Sequence, residues 1–220
     1  TLFPYTTLFR SHHFAHSGTA CAHGVETILH LAAKDTVTKC GGVWIPYVSV
    51  GWPSRNGGLY ISPRKFISLS KIELEFKYQG IVPDIVGFHQ GVPLAIEIFV
   101  THKVDDIKKM KIKEVGISTF EIDLSFLKGD FRIEELSDIV TEKGKRKWLY
   151  NSYSAAIRYS VEEMLIELPC DNNGYLKRTG ACPHRGAKMK TSIADCFSCK
   201  FCYSIMKSGD LIESKSIYQI

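Results

Sequence analysis

The sequence has no long apolar stretch, no internal repeat and no low-complexity tract. No run approaches the roughly 18 consecutive apolar residues that a membrane span needs, and no secretory signal is visible once the start of the chain is set aside. The charge excess is small as well, because 28 basic and 23 acidic residues leave a formal net charge of +5. These absences argue against a membrane or secreted protein and favour a soluble cytoplasmic one. The mild positive charge permits nucleic-acid binding but does not show it.

The start of the chain differs from the rest. Residues Thr1 to Ser11 resemble the translation of a sequencing-library adapter, and we exclude them from fold reasoning. Native sequence is expected to resume near His13 and His16, a pair of histidines that we do not take as metal ligands. The remaining length predicts one domain of ordinary size, residues 12–150, followed by a small Cys-rich unit, residues 151–220.

Two carboxylates each interrupt an apolar run. Asp84 lies in Ile-Val-Pro-Asp-Ile-Val-Gly-Phe and Glu97 lies in Pro-Leu-Ala-Ile-Glu-Ile-Phe-Val, with a short Gly-containing turn between the runs. Such runs are typical of strands that are buried on both faces. An isolated carboxylate in an apolar core either takes a proton or finds a cation. Mg²⁺, or Mn²⁺ in its place, is the natural cation, because Mg²⁺ takes one or two carboxylates and completes its octahedron with water and phosphate oxygens.

The order of the predicted elements is typical of an α/β fold. The tight turn from His89 to Pro93 predicts an antiparallel hairpin, and the strand, helix and strand that follow predict a right-handed crossover. Residues Gly51 to Lys65 are expected to be irregular, and a short helix is expected within Phe131 to Thr141. The predicted αβββαβ core, a mixed sheet flanked by helices, comprises a helix at Gly24 to Thr38, strands at Lys71 to Tyr78, Val82 to Phe88 and Leu94 to Val100, a helix at Asp105 to Val115 and a strand at Ser118 to Leu124.

The Pro-Asp pair at Asp84, the acid Glu97 and the blocks that follow resemble a known nuclease family. The chain reads Glu97-Ile-Phe-Val-Thr-His, then Val-Asp-Asp-Ile-Lys108, then Glu121-Ile-Asp-Leu-Ser. This order is similar to that of the competence protein CoiA-like nucleases of the PD-(D/E)XK superfamily. The resemblance implies a restriction-endonuclease-like fold, DNA as the partner, and Mg²⁺ or Mn²⁺ held by Asp84 and Glu97 for phosphodiester hydrolysis, in DNA uptake, processing or recombination.

One residue departs from the superfamily pattern. The position two after Glu97, usually a lysine, is Phe99. Lys103 shares that face of the strand but would lie about 20 Å away along a straight strand, at about 3.3 Å per residue. We therefore assign the role of the missing lysine to Lys108, on a helix that must fold back across the sheet. If no lysine replaces it, the chain is a catalytically inactive nucleic-acid-binding module of the same fold.

The helix that precedes the strands carries a polar stripe. Glu26, His30 and Lys34 recur every four residues and share one face. Such a stripe is often a solvated, salt-bridged surface. The family resemblance instead implies that Glu26 is a third acid of the site, with His30 and Lys34 facing the phosphate or supporting Glu26.

The end of the chain is rich in cysteine. Two overlapping Cys-x-x-Cys steps, Cys196, Cys199 and Cys202, bring three thiolates together, and Cys182 can supply a fourth. His184 or Cys170 could substitute for it. This pattern predicts a structural Zn²⁺ site, with an iron-sulfur cluster as the rival. A zinc-dependent interaction protein is accordingly a further alternative for the function, since resemblance of the fold alone does not establish activity.

Overall fold

The computed structural model describes residues 20–52, 58–127, 133–169, 192–197, 199, 202–208 and 211–217. Its helices are α1 (Ala20–Cys40), α2 (Asp106–Val115), α3 (Ile133–Asp138), α4 (Ser152–Glu163) and α5 (Ile193–Phe197). Its strands are β1 (Gly42–Ile45), β2 (Val48–Gly51), β3 (Gly58–Ser62), β4 (Lys65–Ser68), β5 (Lys71–Leu74), β6 (Ile85–His89), β7 (Val92–Phe99), β8 (Ser118–Asp123), β9 (Lys145–Tyr150), β10 (Leu165–Pro169), β11 (Cys202–Ser208) and β12 (Leu211–Ile217). Within these ranges, no helix is both long and apolar enough to cross a membrane.

The central sheet has five strands in the order β5-β6-β7-β8-β9. Strands β5, β6 and β7 are antiparallel neighbours, β7 and β8 are parallel, and β8 and β9 are antiparallel. Helix α2 makes the connection between the two parallel strands, as a crossover requires. The predictions of an α/β fold with a mixed sheet, a β6–β7 hairpin and a helical crossover are therefore confirmed.

The two faces of the sheet are covered by different helices. On one face, Leu29 and Ala33 of α1 pack in a large cluster with Ile96 and Phe120. On the other face, Ile112 of α2 packs with Ala95 and its neighbours. Side chains alternate along a strand, so Glu97 is expected to share a face with Ala95 rather than with Ile96. The apolar residues of β7 are thus buried on both faces, which explains the unbroken apolar run around Glu97.

Residues 42–51 and 58–68 pair as the two arms of a long antiparallel ribbon, the long hairpin. Strand β1 pairs with β4 and β2 pairs with β3, and the register runs on across the break between the two ladders. The break falls at Pro46 and Pro63, which have no backbone N–H to donate. The prediction that Gly51 to Lys65 are irregular is therefore wrong for the described residues, because Gly58–Ser62 is a strand and Lys65 begins another.

Two predicted strands are shorter than expected. Strand β5 ends at Leu74 instead of Tyr78, because Glu75 has a φ of 50°, a left-handed conformation that breaks the extended chain. Strand β6 begins at Ile85 instead of Val82, so Asp84 lies just ahead of the strand. The region after β8 holds α3 and a π-helical turn, Ile139–Lys143, at the place where one short helix was expected.

The π-helical turn is held by a half-buried arginine. The Arg146 guanidinium donates to the carbonyls of Ile139, Val140 and Thr141 and, from Nη1, to the Trp44 carbonyl at 2.5 Å. Burial lowers the pKa of Arg146 to about 10, with a smaller contribution from Arg64. Carbonyl dipoles from two distant parts of the chain thus solvate this cation and fasten β1 to the edge of the central sheet.

The C-terminal strands form a separate sheet in the order β10-β12-β11. A second hydrophobic cluster joins it to the long hairpin, since Tyr203 of β11 packs with Val161 of α4 and with Val50 and Trp52. The rings of Trp52 and Tyr203 are 5.4 Å apart between centroids. The described part of the Cys-rich unit therefore rests on apolar contacts with the preceding residues.

Candidate active site

Asp84 lies at the end of the central sheet, one residue before β6. Its Oδ2 accepts a hydrogen bond from the Ile98 backbone N–H at 2.9 Å, and its Oδ1 is 3.0 Å from Lys34 Nζ. Because the last ladder pair joins Ile85 to Ile96, Asp84 continues the sheet opposite Glu97. The two acids predicted as metal ligands are therefore brought side by side by strand pairing.

Lys34 reaches Asp84 from helix α1. It is only 5% exposed, and its ammonium also donates to Glu75 Oε1 at 2.8 Å. Burial by itself lowers the pKa of Lys34, but the carboxylates of Glu75 and Asp84 outweigh burial and raise the pKa above its ordinary value. Lys34 is thus a charged lysine shared by two acids, and it fixes the position of Asp84.

His30 lies one helical turn before Lys34 and faces the same part of the sheet. Its Nε2 is 2.7 Å from the Ile98 carbonyl oxygen, so Ile98 is held by His30 on one side and by Asp84 on the other. The polar stripe of α1 therefore faces the sheet at this point rather than solvent. Glu26 belongs to the same helix one turn earlier, and its side chain lies outside the described residues.

Glu97 is a deeply buried acid beside Asp84. It is 4% exposed, and both of its carboxylate oxygens lie 2.8 Å from Lys108 Nζ, with Oε2 accepting a hydrogen bond. Oε1 is buried, and the Lys108 ammonium is its ion-pair partner among the described residues. Burial raises the pKa of Glu97 to about 7; Lys108 lowers it in opposition, while Asp84 and the acid Glu121 raise it further.

Lys108 is placed by the first turn of α2. The helix begins after Asp105, whose side chain accepts from the Lys108 backbone N–H at 2.7 Å as an N-cap. The crossover brings this turn over β7, and the Lys108 side chain is 31% exposed while it contacts Glu97. The lysine that we assigned to replace the missing one is therefore in contact with the predicted acid, and Lys108 remains accessible from solvent.

Phe99 occupies the position that holds lysine in the superfamily pattern, and the residue is 9% exposed. Strand β7 ends at Phe99, so the straight strand assumed for Lys103 does not exist. The chain bends, and Lys103 Nζ lies over the Phe99 ring at 5.3 Å from its centroid. This contact is a cation–π interaction. In the described residues, Lys103 therefore contacts the ring that replaces the usual lysine.

Glu121 is a buried acid that we did not select from the sequence. It lies directly opposite Glu97 in the parallel pairing of β7 with β8, and it is 2% exposed. Lys147 Nζ is 3.0 Å from Glu121 Oε1, while Oε2 is buried without a hydrogen-bond partner among the described residues. The signal that could have identified it is an acid flanked by apolar residues in a predicted strand, the same signal that identified Glu97.

Four acids lie in register across the sheet, and we call them the acid row: Glu97 and Glu121 within β7 and β8, Asp84 just before β6, and Glu75 just after β5. Glu75 joins it through its backbone N–H, which donates to the Asp84 carbonyl at 3.1 Å. Lys34, Lys108 and Lys147 each contact one or two of these acids. The donor set is chemically compatible with a divalent cation, because Mg²⁺ needs only one or two carboxylates from a protein and completes its octahedron with water.

The predicted zinc ligands are only partly within the described residues. Cys196 and Cys202 are buried and Cys199 is half-buried, and successive backbone N–H groups donate from Cys199 to Cys196 and from Cys202 to Cys199, each at 3.1 Å. Cys182, Cys170 and His184 lie outside the described residues. In the part of the chain that is described, no three His, Cys, Asp or Glu side chains are grouped to hold a metal ion by themselves. The zinc site stays a prediction, because its fourth ligand, whether Cys182 or one of the two alternatives, is not among the described residues.

The geometry brings Asp84, Glu97 and Lys108 together, adds Lys34, His30 and Glu121, and leaves the side chain of Glu26 undescribed. The resemblance to CoiA-like nucleases rests on the sequence blocks given above. In comparisons with protein-family models, curated proteins and solved structures, nothing matches this chain.

Proposed function

We propose that the chain is a metal-dependent nuclease that hydrolyses DNA phosphodiester bonds. The observation that carries this proposal is the placement of Asp84 beside Glu97 at one end of the sheet, with the Lys108 ammonium 2.8 Å from Glu97. Two acids and a lysine from a crossover helix are the chemical groups that phosphodiester hydrolysis needs: ligands for a cation and a positive charge near the attacked phosphate.

Each residue of the proposed site has a role that follows from its chemistry. Asp84 and Glu97 would hold Mg²⁺ or Mn²⁺, and Glu26 would assist from α1. When bound, the cation supplies Lewis-acid stabilisation of the phosphate and a more acidic water. Lys108 steadies the attacking water and the developing negative charge, since its side chain is accessible from solvent. Lys34 acts as a positioning residue that keeps Asp84 in place.

A second candidate function is nucleic-acid binding without catalysis. The observation that favours it is that lysines neutralise the acid row: Lys34 pairs with Asp84 and Glu75, Lys108 with Glu97, and Lys147 with Glu121. Such a row can be a structural ion-pair network with no bound cation. The two functions differ in one measurable property, which is metal-dependent cleavage.

The test is cleavage of plasmid and single-stranded DNA with Mg²⁺, Mn²⁺ or EDTA. We expect the parent protein to cut with metal and not with EDTA, and we expect Asp84→Ala and Glu97→Ala to lose cleavage while they remain folded. Asp35→Ala, at an exposed acid that pairs with Lys39 on α1, is the matched control and should cut normally. If either site variant cuts as fast as the parent, the metal assignment is wrong. If the parent itself does not cut with either metal, the binding function is the better one.

A further inference from the structure

Lys108 engages both oxygens of the Glu97 carboxylate. Its ammonium lies 2.8 Å from Oε1 and donates a hydrogen bond of the same length to Oε2. A divalent cation bound by Glu97 needs at least one of these two oxygens. Two cations on one carboxylate repel each other, and they do so more strongly in a buried site than in water. Lys108 therefore lies where it opposes any cation that binds Glu97.

The lysine beside Asp84 is held differently. The Lys34 side chain is 7% exposed, and its ammonium is shared by the carboxylates of Asp84 and Glu75. The Lys108 side chain is 31% exposed, and its ammonium contacts Glu97. A lysine stem is long and flexible, so an ammonium at a partly open position can turn toward water while its helix stays in place. Of these two lysines, Lys108 is the one that can leave its acid.

The charges of the acid row favour the same conclusion. With every group ionised, its four acids and the three lysines that contact them, Lys34, Lys108 and Lys147, leave one negative charge in excess. A divalent cation added to this group would leave one positive charge in excess. If the cation replaced the Lys108 ammonium instead, the charges would balance. An uncompensated charge in a buried site is costly, so exchange is favoured over addition.

We propose that Lys108 and a divalent cation exchange on Glu97, and that the lysine turns toward solvent when the cation binds. The inference rests on the metal site of the proposed function, at Asp84 and Glu97, but it does not depend on cleavage. It gives the lysine two successive roles. Lys108 neutralises the buried carboxylate until a cation replaces it, and its ammonium is then free to face a phosphate from the open side of the site.

Binding of Mn²⁺ without DNA, measured by electron paramagnetic resonance of the free ion, tests the competition. We expect Lys108→Met to bind Mn²⁺ roughly 10-fold more tightly than the parent, because one neighbouring cation changes the proton affinity of a carboxylate by about 10-fold or more. Lys109→Met is the matched control. It removes an equal charge from the next residue, whose ammonium pairs with the exposed Asp106, and it should bind Mn²⁺ nearly as the parent does.

Chemical labelling tests whether the ammonium moves. Acetylation of the parent by acetic anhydride, followed by mass spectrometry, compares the labelling rate of each lysine in EDTA and in Mg²⁺. Lys108 should be labelled faster in Mg²⁺, because an ammonium that has left Glu97 is more accessible. Lys109 should be labelled at the same rate in both solutions. Repulsion without movement would leave the rate at Lys108 unchanged as well.

The possible outcomes separate this inference from the proposed function. Equal Mn²⁺ affinity in Lys108→Met and in a parent that cuts DNA would overturn the inference alone, as would an equal gain in Lys109→Met or an unchanged labelling rate at Lys108. Tighter binding by Lys108→Met, with a parent that binds Mn²⁺ but never cuts, would support the inference and contradict the proposed function. A parent that binds no Mn²⁺ would overturn both.

Discussion

Replacing Glu97 by glutamine is expected to remove a pH dependence from the stability of the metal-free protein. Burial raises the pKa of Glu97 from 4.5 to about 7 even though Lys108 opposes this change. Between these two values the folded chain keeps a proton on Glu97 that the unfolded chain has lost, so the free energy of unfolding falls as pH rises through the window. The difference of about 2.5 between the values, at about 1.36 kcal/mol per pKa unit, corresponds to a loss of roughly 3 kcal/mol.

Urea unfolding in EDTA, at about pH 4.5 and about pH 8, measures this loss in the parent, in Glu97→Gln and in Glu114→Gln. Glu114 is an exposed acid on α2 and serves as the control, which should behave like the parent. Glutamine carries no titrating proton. The free energy of unfolding should therefore fall by roughly 3 kcal/mol less in Glu97→Gln than in the parent between the two pH values. The reasoning would be refuted by the same pH dependence in the parent and in Glu97→Gln.

Three further predictions test other parts of the molecule. Lys108→Ala should slow DNA cleavage far more than Lys109→Ala, because Lys108 contacts the buried Glu97 and Lys109 pairs with the exposed Asp106. Steady-state kinetics measure both effects, and equal effects would contradict the role of Lys108. Lys34→Ala should lower the free energy of unfolding by about 2 kcal/mol, since it strips a buried cation from two acids, while Lys39→Ala at an exposed pair should cost about 0.5 kcal/mol or less in urea unfolding. Elemental analysis should find zinc in the parent and not in Cys199→Ser. Iron in the parent would indicate an iron-sulfur cluster instead, and no metal in the parent would contradict the site.

The middle of the chain was predictable because its patterns are local. Two apolar runs joined by a tight turn give a β6–β7 hairpin, and a helix with an Asp N-cap and a Gly116 C-cap follows at the expected place. Asp84 and Glu97 could be identified as candidate site residues because an acid within an apolar run is seldom buried without a functional or ion-pairing role. The contact between Lys108 and Glu97 requires a helical crossover between β7 and β8, and the order of the predicted elements implies that crossover.

The rest depended on contacts between distant residues. Glycines and prolines between Gly51 and Lys65 favour an irregular segment, yet pairing with β1 and β2 makes strands there. The pairing of Lys34 with Glu75, 41 residues away, has no local signal, nor does the pairing of Arg146 with Trp44, 102 residues away. Tertiary contacts of this kind decide strand ends and ion-pair partners, and no short window of sequence contains them.

The acid row has a consequence for how the chain finds its fold. Because side chains alternate along a strand, sliding β8 by one residue against β7 would turn Glu121 into the apolar layer beside α1 and bring Phe120 out of it. Burying that charge among Ile96, Ile98 and Leu29 would cost several kcal/mol, far more than the slip of a purely apolar strand. In a strand that is apolar on both faces, the apolar side chains alone distinguish only weakly between neighbouring registers. The buried acids therefore help to specify the register. A chain in which apolar residues replace them would keep its hydrophobicity, but the free-energy gap between the native register and a slipped one would be smaller.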